Sequence, residues 1–389
     1  KLGTPPNNNT LQLSHPYSYQ HRDTYLPRRH THTMATNQAV KTIEAGVAKV
    51  VDAPIPALPA DDYILVKTTA VAINPTDWKH VDLADEAGCV GIWVGCDYAG
   101  VVEEVGKGVT KDFKKGDRIC GPVNGSNALR EIDGAFAKYI AVKGDVQIKT
   151  PENISDEEAA TLGIAVTTVG QGLYQGLNLP LPTEPTTATP APAILIYGGS
   201  TAMGISGIQY AKLSGYRVLA TSSPRNFDYL RSLGADQVYD YKSPTVSEDI
   251  REATDDELTL AWDCQSTDES VVLVAKALSS ARGGVIGTLL PVDKKVVREA
   301  NDKVEVKMSL YYTVFGEEFG YFGKRDPVPE NYEFGKKFWE ISRGLLAEGK
   351  LKPIRVVKNQ GGSGLEGVVV GLKELKEGKV SAGKLVYTI

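Results

Sequence analysis

The chain has 389 residues, 42% hydrophobic and 23% charged, the balance of an ordinary globular protein built from two or three domain-sized units. A formal net charge of -5 offers no basic face to a nucleic-acid polyanion, and no run of about 18 apolar residues is present to span a bilayer. The four cysteines, Cys89, Cys96, Cys120 and Cys264, form no C-x-x-C pair, which argues against a disulfide framework and for a reducing, cytoplasmic setting.

Residues 1–34 stand apart. They carry four of the five histidines (His15, His21, His30 and His32) and no apolar periodicity, so a disordered leader is expected there, with Met34 opening the globular sequence MATNQAVKTIEAG. From 35 to about 160 the pattern is short and β-like: YILVKTTAVAI alternates around β-branched residues, and GVVEEVG and GDRICGPV follow between Gly and Pro. Ser155 with Glu158 three residues later is a capping-box pattern that starts a helix. The Pro/Thr-rich segment 179–193 cannot be helical and suits an extended surface loop.

Strands then alternate with helices. Ile194–Tyr197 reads as a strand, Ala202–Ser214 as a helix and Arg217–Thr221 as a strand. FDYLRSLGAD, QVYDY, LTLAWDC and GGVIGTL continue the alternation. This order predicts an α/β fold with a parallel sheet covered on both faces. NYEFGKKFWEISRGLLAEG puts Phe334, Phe338, Ile341 and Leu345 on one helical face and stops at Gly349. VSAGKLVYTI closes the chain as a strand-like tail.

Between the first strand and helix of that alternation lies Gly198-Gly199-Ser200-Thr201-Ala202-Met203-Gly204. A strand, a glycine turn and a helix aim backbone N–H groups and the positive helix end at a pyrophosphate. Gly198 permits the tight turn and Gly204 lets the helix pack closely on the strand. Thr201 and Ala202 stand where further glycine is expected, and the Ser200 and Thr201 hydroxyls are expected to replace part of the lost phosphate contact. The second strand runs into Ser222-Ser223-Pro224-Arg225-Asn226 with no acid for a ribose 2′-hydroxyl. The Arg225 guanidinium suits a 2′-phosphate instead, so NADPH is the expected cofactor.

Three stretches carry a family resemblance: AVAINPTDWKH at 70–80, VGCDYAGVVEEVGKGVTKDFKKGDRICG at 94–121, and ILIYGGSTAMG. The sequence resembles the medium-chain dehydrogenase/reductase superfamily from about residue 37 to the end. YGGSTA, ATSSPRNFD, the Pro/Thr-rich insert and the FGE segment resemble fungal trans-acting enoyl reductases of the lovastatin type. The resemblance implies a β-rich GroES-like substrate domain at 35–160, a doubly wound Rossmann domain at 161–308, and a return to the substrate domain over 309–389. Zinc enzymes of the superfamily carry Cys near the NPTD position, a Gly-His-Glu segment and a four-Cys lobe. Here Asn74 and Gly95-Cys96-Asp97 stand in the first two places and the lobe is absent, so no metal is expected.

The same resemblance implies site residues. Lys79 matches a lysine beside the cofactor, with proton delivery as a further role, and Thr168 matches a threonine at the nicotinamide and substrate pocket. Thr76, Asp77 and Trp78 accompany Lys79 at the cofactor. Ser200–Met203, Ser223–Asn226 and Tyr241 line it, and Thr288, Leu289, Val380 and Ser381 approach its nicotinamide end or backbone. The segment Val169, Gly170, Gln171, Gly172, Leu173, Tyr174, Gln175 and Gly176 is implied to border the substrate. So is the loop Phe315-Gly316-Glu317-Glu318-Phe319. Tyr311 and Tyr312, just upstream, are candidates to donate to an enolate or to serve as packing.

Without metal, hydride from NADPH can add to the β-carbon of an activated alkene, leaving an enolate that needs donors and a proton. The favoured expectation is an enoyl reductase acting on an α,β-unsaturated thioester held by a polyketide synthase's acyl carrier protein. A stand-alone quinone or alkenal reductase and a non-catalytic NADPH-binding protein are the alternatives. Monomer and homodimer both stay open. Arg225 stands where the lovastatin enzyme has a histidine, and the Met203 and Gly204 positions also differ, so substrate preference does not carry over.

Overall fold

A computed structural model describes residues 36–389. The leader expected over 1–34 lies outside them. Two sheets organise the described chain.

The second half builds a six-stranded sheet in which every neighbouring pair is parallel. Its spatial order is Gln237–Asp240, Arg217–Ser222, Ala193–Tyr197, Leu260–Asp263, Gly284–Thr288 and Val304–Met308. The order reverses direction between Ala193–Tyr197 and Leu260–Asp263, and ligands bind at the carboxyl ends of strands at such a switch point. Ile194 and Ile196 pack into the core that continues toward the other sheet, while Leu195 and Tyr197 pack into the core on the opposite face. Both faces are therefore covered, as an apolar parallel run requires.

Trp262 lies fully buried at the centre of this sheet. Room for its indole comes from three glycines on three elements: a Cβ at Gly172, Gly207 or Gly287 would lie 2.7, 2.6 or 2.8 Å from the ring.

The other sheet has seven strands and is mostly antiparallel. Tyr63–Ala72 pairs with Asp97–Val105, which pairs with Arg118–Pro122 and so reaches Ile148–Lys149. Tyr139–Lys143 pairs with the early part of Tyr63–Ala72. The end of the chain returns here: Lys384–Thr388 lies antiparallel to Tyr63–Ala72, with Val356–Lys358 beside it. The hairpin of Thr36–Glu44 and Val47–Pro54 stands beside this sheet, tied by bridges at Ala39–Ala137 and Lys41–Trp93.

Between the sheets runs the helix Gly163–Val169, which passes into a π-helical stretch, Gly170–Gly176. Nothing in the sequence pattern announced that widening. The capping box at Ser155 is formed: Ser155 Oγ accepts from the Glu158 N–H, and Glu158 accepts from the Ser155 N–H. The late helix spans Pro329–Ala347 and ends near Gly349 at φ +68°. Its most buried residues are Phe338, Trp339, Ser342, Leu345 and Leu346, so the stripe is centred slightly off the expected one. Phe334 and Ile341 are half-buried at its margin. The shift lets Trp339 Nε1 donate to Thr167 Oγ1 at 3.1 Å.

Candidate active site

The glycine turn begins at the carboxyl end of Ala193–Tyr197. Gly198 has φ +77°, which only glycine adopts without strain. A Cβ at Gly204 would lie 2.3 Å from the Gly198 carbonyl oxygen, so the helix Ala202–Leu213 can start here only with glycine in its first turn. The turn is tied to the second strand: the Gly198 N–H donates to Thr221 Oγ1 at 3.0 Å and the Gly199 N–H to the Thr221 carbonyl at 2.8 Å.

The Thr201 hydroxyl is engaged within the turn itself. It donates to the Gly198 carbonyl at 2.8 Å and accepts from the Gly204 N–H at 2.9 Å. Thr201 is the N-cap of the helix. The N–H groups of Ser200, Ala202 and Met203 find no acceptor among the described residues. Three free donors at the positive end of a twelve-residue helix fit a pyrophosphate.

Farther along the strand ends, Arg225 and Pro224 are exposed, Ser223 is half-buried and Asn226 is buried. Arg225 makes no ion pair with the described residues. Tyr241 is exposed, with Lys242 Nζ 5.8 Å from its ring. Thr288 ends its strand fully buried with its hydroxyl unpartnered. The Leu289 N–H donates to Ser266 Oγ at 2.8 Å. Val380 is half-buried and Ser381 exposed.

The helix Pro75–Asp82 leaves the end of Tyr63–Ala72. The Asn74 N–H donates to Asp77 Oδ2 at 2.7 Å, which fixes the first turn. Asp77 is buried, and among the described residues its other oxygen has no hydrogen-bond partner closer than the weakly donating Cys96 thiol nearby. Burial pushes its pKa up to about 7. Lys79 is half-buried, enters no ion pair among the described residues and has its Nζ 5.7 Å from the Trp78 ring. Burial lowers its pKa. Thr168 is buried on Gly163–Val169 with an unpartnered hydroxyl. A buried hydroxyl left open costs about 1–3 kcal/mol, so each such group calls for a ligand or a water.

The segments implied to border the substrate divide. Val169, Gly170, Gly172, Leu173 and Tyr174 are buried in the core, with Gly170 against Phe338 and Gly172 against Trp262. Gln171 and Gln175 join Thr313 and Asn331 in a chain: Gln171 Nε2 donates to Thr313 Oγ1 at 3.0 Å, and Gln175 Nε2 to Asn331 Oδ1 at 2.8 Å. Asn331 Nδ2 closes it onto Thr313 Oγ1 at 2.7 Å. Gly176 is half-buried.

Glu317 has a scaffold role that the sequence did not suggest. It accepts from Tyr63 OH at 2.7 Å, pairs with Arg130 at 2.9 Å and pairs with Lys143. Burial alone raises its pKa, but hydrogen bonds from Lys143 and Tyr63 and the charges of Lys143 and Arg130 hold it below the usual range. Phe315 and Phe319 are buried, Gly316 turns at φ +63° against Tyr332, and Glu318 pairs with Lys324 at the surface.

The two tyrosines separate clearly. Tyr311 OH accepts from the Val123 N–H at 3.1 Å and donates to the Val123 carbonyl at 3.0 Å, so it is spent on backbone. Among the described residues Tyr312 OH meets only Thr76 Oγ1, at 2.7 Å.

Asp97 decides the zinc question by its own partners. Its Oδ1 accepts from the Ile164 N–H at 2.6 Å, and its Oδ2 pairs with buried Lys384. A cation there would lie against an ammonium group. Cys96 is fully buried, and burial with the nearby Asp77 and Asp97 charges pushes its thiol well up. The donor set does not fit zinc.

Known proteins match this architecture. The family model for the alcohol dehydrogenase GroES-like domain matches residues 60–152, and the one for zinc-binding dehydrogenases matches 202–315. The chain is 43% identical to trans-enoyl reductase resD of Aspergillus sclerotiorum, over 90% of this chain and all of that protein. It is 48% identical to trans-enoyl reductase TOXD of Cochliobolus carbonum, over 78% of this chain and 99% of that one. The chain belongs to the trans-enoyl reductases.

The trans-enoyl reductase also shares its fold with solved structures. A quinone oxidoreductase from Coxiella burnetii superposes with a TM-score of 0.66 at 24% identity, over 91% of this chain and all of that one. The CurK enoyl reductase gives 0.69 at 19%, over 90% and 99%. The antiparallel and parallel sheets are the GroES-like and Rossmann units of the superfamily, and the latter holds a nicotinamide dinucleotide. In this trans-enoyl reductase the ion-pair hub of Tyr63, Arg130, Lys143 and Glu317 and the Asp97–Lys384 pair escaped sequence reading. Their members lie up to 287 residues apart with no local pattern.

Proposed function

We propose that this protein is an NADPH-dependent enoyl reductase that reduces an α,β-unsaturated thioester carried by the acyl carrier protein of a polyketide synthase, acting in trans in the cytoplasm of a fungus. The reading rests above all on the 43–48% identity to curated trans-enoyl reductases over most of the chain. The site chemistry agrees with it. Free N–H groups of Ser200, Ala202 and Met203 suit the pyrophosphate, and the exposed, unpaired Arg225 suits the 2′-phosphate. Bound there, the nicotinamide supplies the hydride for the β-carbon. Lys79 adds a positive charge without a competing carboxylate, and the open hydroxyls of Thr168 and Thr288 orient carboxamide or substrate carbonyl.

The proposed units are a GroES-like substrate domain over 35–160, an NADPH-binding domain over 161–308 and a return to the substrate domain over 309–389, with each contributing residues to the site. The described residues include no helix long and apolar enough to cross a membrane. NADPH oxidation, followed by absorbance, tests the reading with an enoyl-pantetheine thioester and a free enal side by side, and NADH as control. Turnover of the thioester with NADPH is expected. Preference for the enal would make the protein a stand-alone alkenal reductase, and equal use of NADH would remove the role given to Arg225.

A further inference from the structure

Reduction of an enoyl thioester needs a proton at the α-carbon as well as a hydride at the β-carbon, and Lys79, Tyr311 and Tyr312 are the candidates to deliver it. The hydrogen-bond partners around Tyr311 and Tyr312 select a candidate: the first is held by the Val123 backbone and the second by one hydroxyl. His80 Nδ1 lies 2.8 Å from the Thr76 carbonyl oxygen. A carbonyl only accepts, so Nδ1 carries a hydrogen. The same Nδ1–H lies 3.2 Å from Thr76 Oγ1, which leaves the Thr76 hydroxyl with its own proton and a second lone pair for another partner. Its neighbour at 2.7 Å is Tyr312 OH. The two hydroxyls share one hydrogen bond in which either can donate, and Tyr312 OH has no other partner among the described residues.

The position is as informative as the partners. The 3₁₀ turn Tyr311–Phe315 follows the last parallel strand, Val304–Met308, and so emerges at the carboxyl edge of the sheet where ligands bind. Thr76 sits in the first turn of the helix leaving the antiparallel sheet. The Thr76–Tyr312 bond joins residues 236 apart where loops of the two sheets meet, one helical turn from Lys79. The ring is fixed by Tyr311, Phe319, Tyr321 and His80, at centroid distances of 5.1 to 5.8 Å. Burial raises the pKa of this phenol well above its ordinary value, so it stays protonated until a strong base arrives. An enolate is such a base.

We propose that Tyr312 is the proton donor of the reaction, with Thr76 feeding it and His80 positioning Thr76. Once the β-carbon has taken its hydride, the substrate is an enolate. Its electron pair forms the new C–H bond at the α-carbon with the Tyr312 O–H proton, and the O–H pair stays on the phenolic oxygen. That oxygen takes the Thr76 Oγ proton, and half-buried Thr76 takes one from solvent. No oxidant or reductant beyond the hydride source is consumed.

This inference rests on the enoyl-reductase reading, and the test separates the two. The variants are Tyr312→Phe, which keeps the ring, Thr76→Val, and Thr76→Ser as the conservative control. Each is compared with wild type for NADPH affinity, thermal midpoint, single-turnover rate with crotonyl-pantetheine, and the configuration of deuterium placed at the α-carbon in D2O. Wild type is expected to place deuterium in one configuration. Tyr312→Phe should keep NADPH affinity and midpoint, slow the single turnover by about 100-fold, and give both configurations as water protonates the enolate from either face. Thr76→Val should show a smaller loss, restored in Thr76→Ser. A Tyr312→Phe enzyme of wild-type rate, or a slow one that still yields one configuration, overturns the assignment. A wild type that reduces no thioester overturns the enoyl-reductase reading itself, and this inference with it.

Discussion

Two buried polar regions of this protein stand in contrast. Around Asp97 the groups that meet are paired. The carboxylate takes the Ile164 N–H and the Lys384 ammonium, and Lys384 also donates to the Thr161 carbonyl at 3.1 Å. Around the carboxyl ends of the parallel strands the reverse holds. Among the described residues, Thr168 and Thr288 have open hydroxyls, Tyr312 OH has a single hydroxyl partner, and the turn 198–204 has N–H groups without acceptors. The first region closes the chain's return onto the antiparallel sheet. The second keeps its polar capacity for something that is not protein. Satisfaction and availability thus distinguish architecture from chemistry more sharply than burial, since Asp97 and Thr288 are both fully buried.

The contrast can be broken by substitution. The largest effect is expected for Lys384→Met, which strands a buried carboxylate. Loss of about 3–5 kcal/mol should appear in the denaturant midpoint, or as failure to fold. A stable Lys384→Met protein would mean that the pair is dispensable and the contrast false. Arg225→Ala touches an exposed, unpaired charge, so its midpoint should match wild type. NADPH should bind about 10–100-fold more weakly by titration, with NADH unaffected. Thr168→Val removes a hydroxyl that the fold does not use. Stability should stay within about 0.5 kcal/mol of wild type or rise, while kcat/KM with an enoyl thioester falls roughly 10-fold. A large loss of stability in this variant would place Thr168 with Asp97 among the structural groups.

Asp77 sharpens the comparison through pH, because it is buried with one oxygen open. Its folded pKa is raised from 3.8 to about 7. A raised carboxyl favours the folded state at low pH, and that contribution disappears as pH rises from about 4 through 7. Asp77→Asn keeps an acceptor for the Asn74 N–H but cannot ionise. Relative to it, wild type should lose about 1 kcal/mol or more between pH 5 and pH 8, read from unfolding midpoints at the two pH values. Parallel curves for the two proteins would show that Asp77 does not titrate in this window.

Much of the architecture was legible because it is written in local pattern. Alternating strands and helices gave the parallel sheet, and YILVKTTAVAI gave the central antiparallel strand. Gly198 and Gly204 marked the phosphate turn because backbone geometry there admits nothing larger. The candidate site was less legible. The local pattern put the Thr201 hydroxyl toward phosphate and did not show its N-cap bond to the Gly204 N–H. Glu317 looked like a substrate contact, but Tyr63, Arg130 and Lys143 claim it from 174 to 254 residues away.

By itself the sequence determined the element order, the covered parallel sheet and the cofactor turn, because propensity, periodicity and glycine geometry act over a few residues. Only the tertiary structure decided which polar groups are spent and which are free. It set Tyr311 onto the Val123 backbone and the adjacent Tyr312 onto the Thr76 hydroxyl, since hydrogen-bond partners are chosen by proximity in space between segments far apart in the chain.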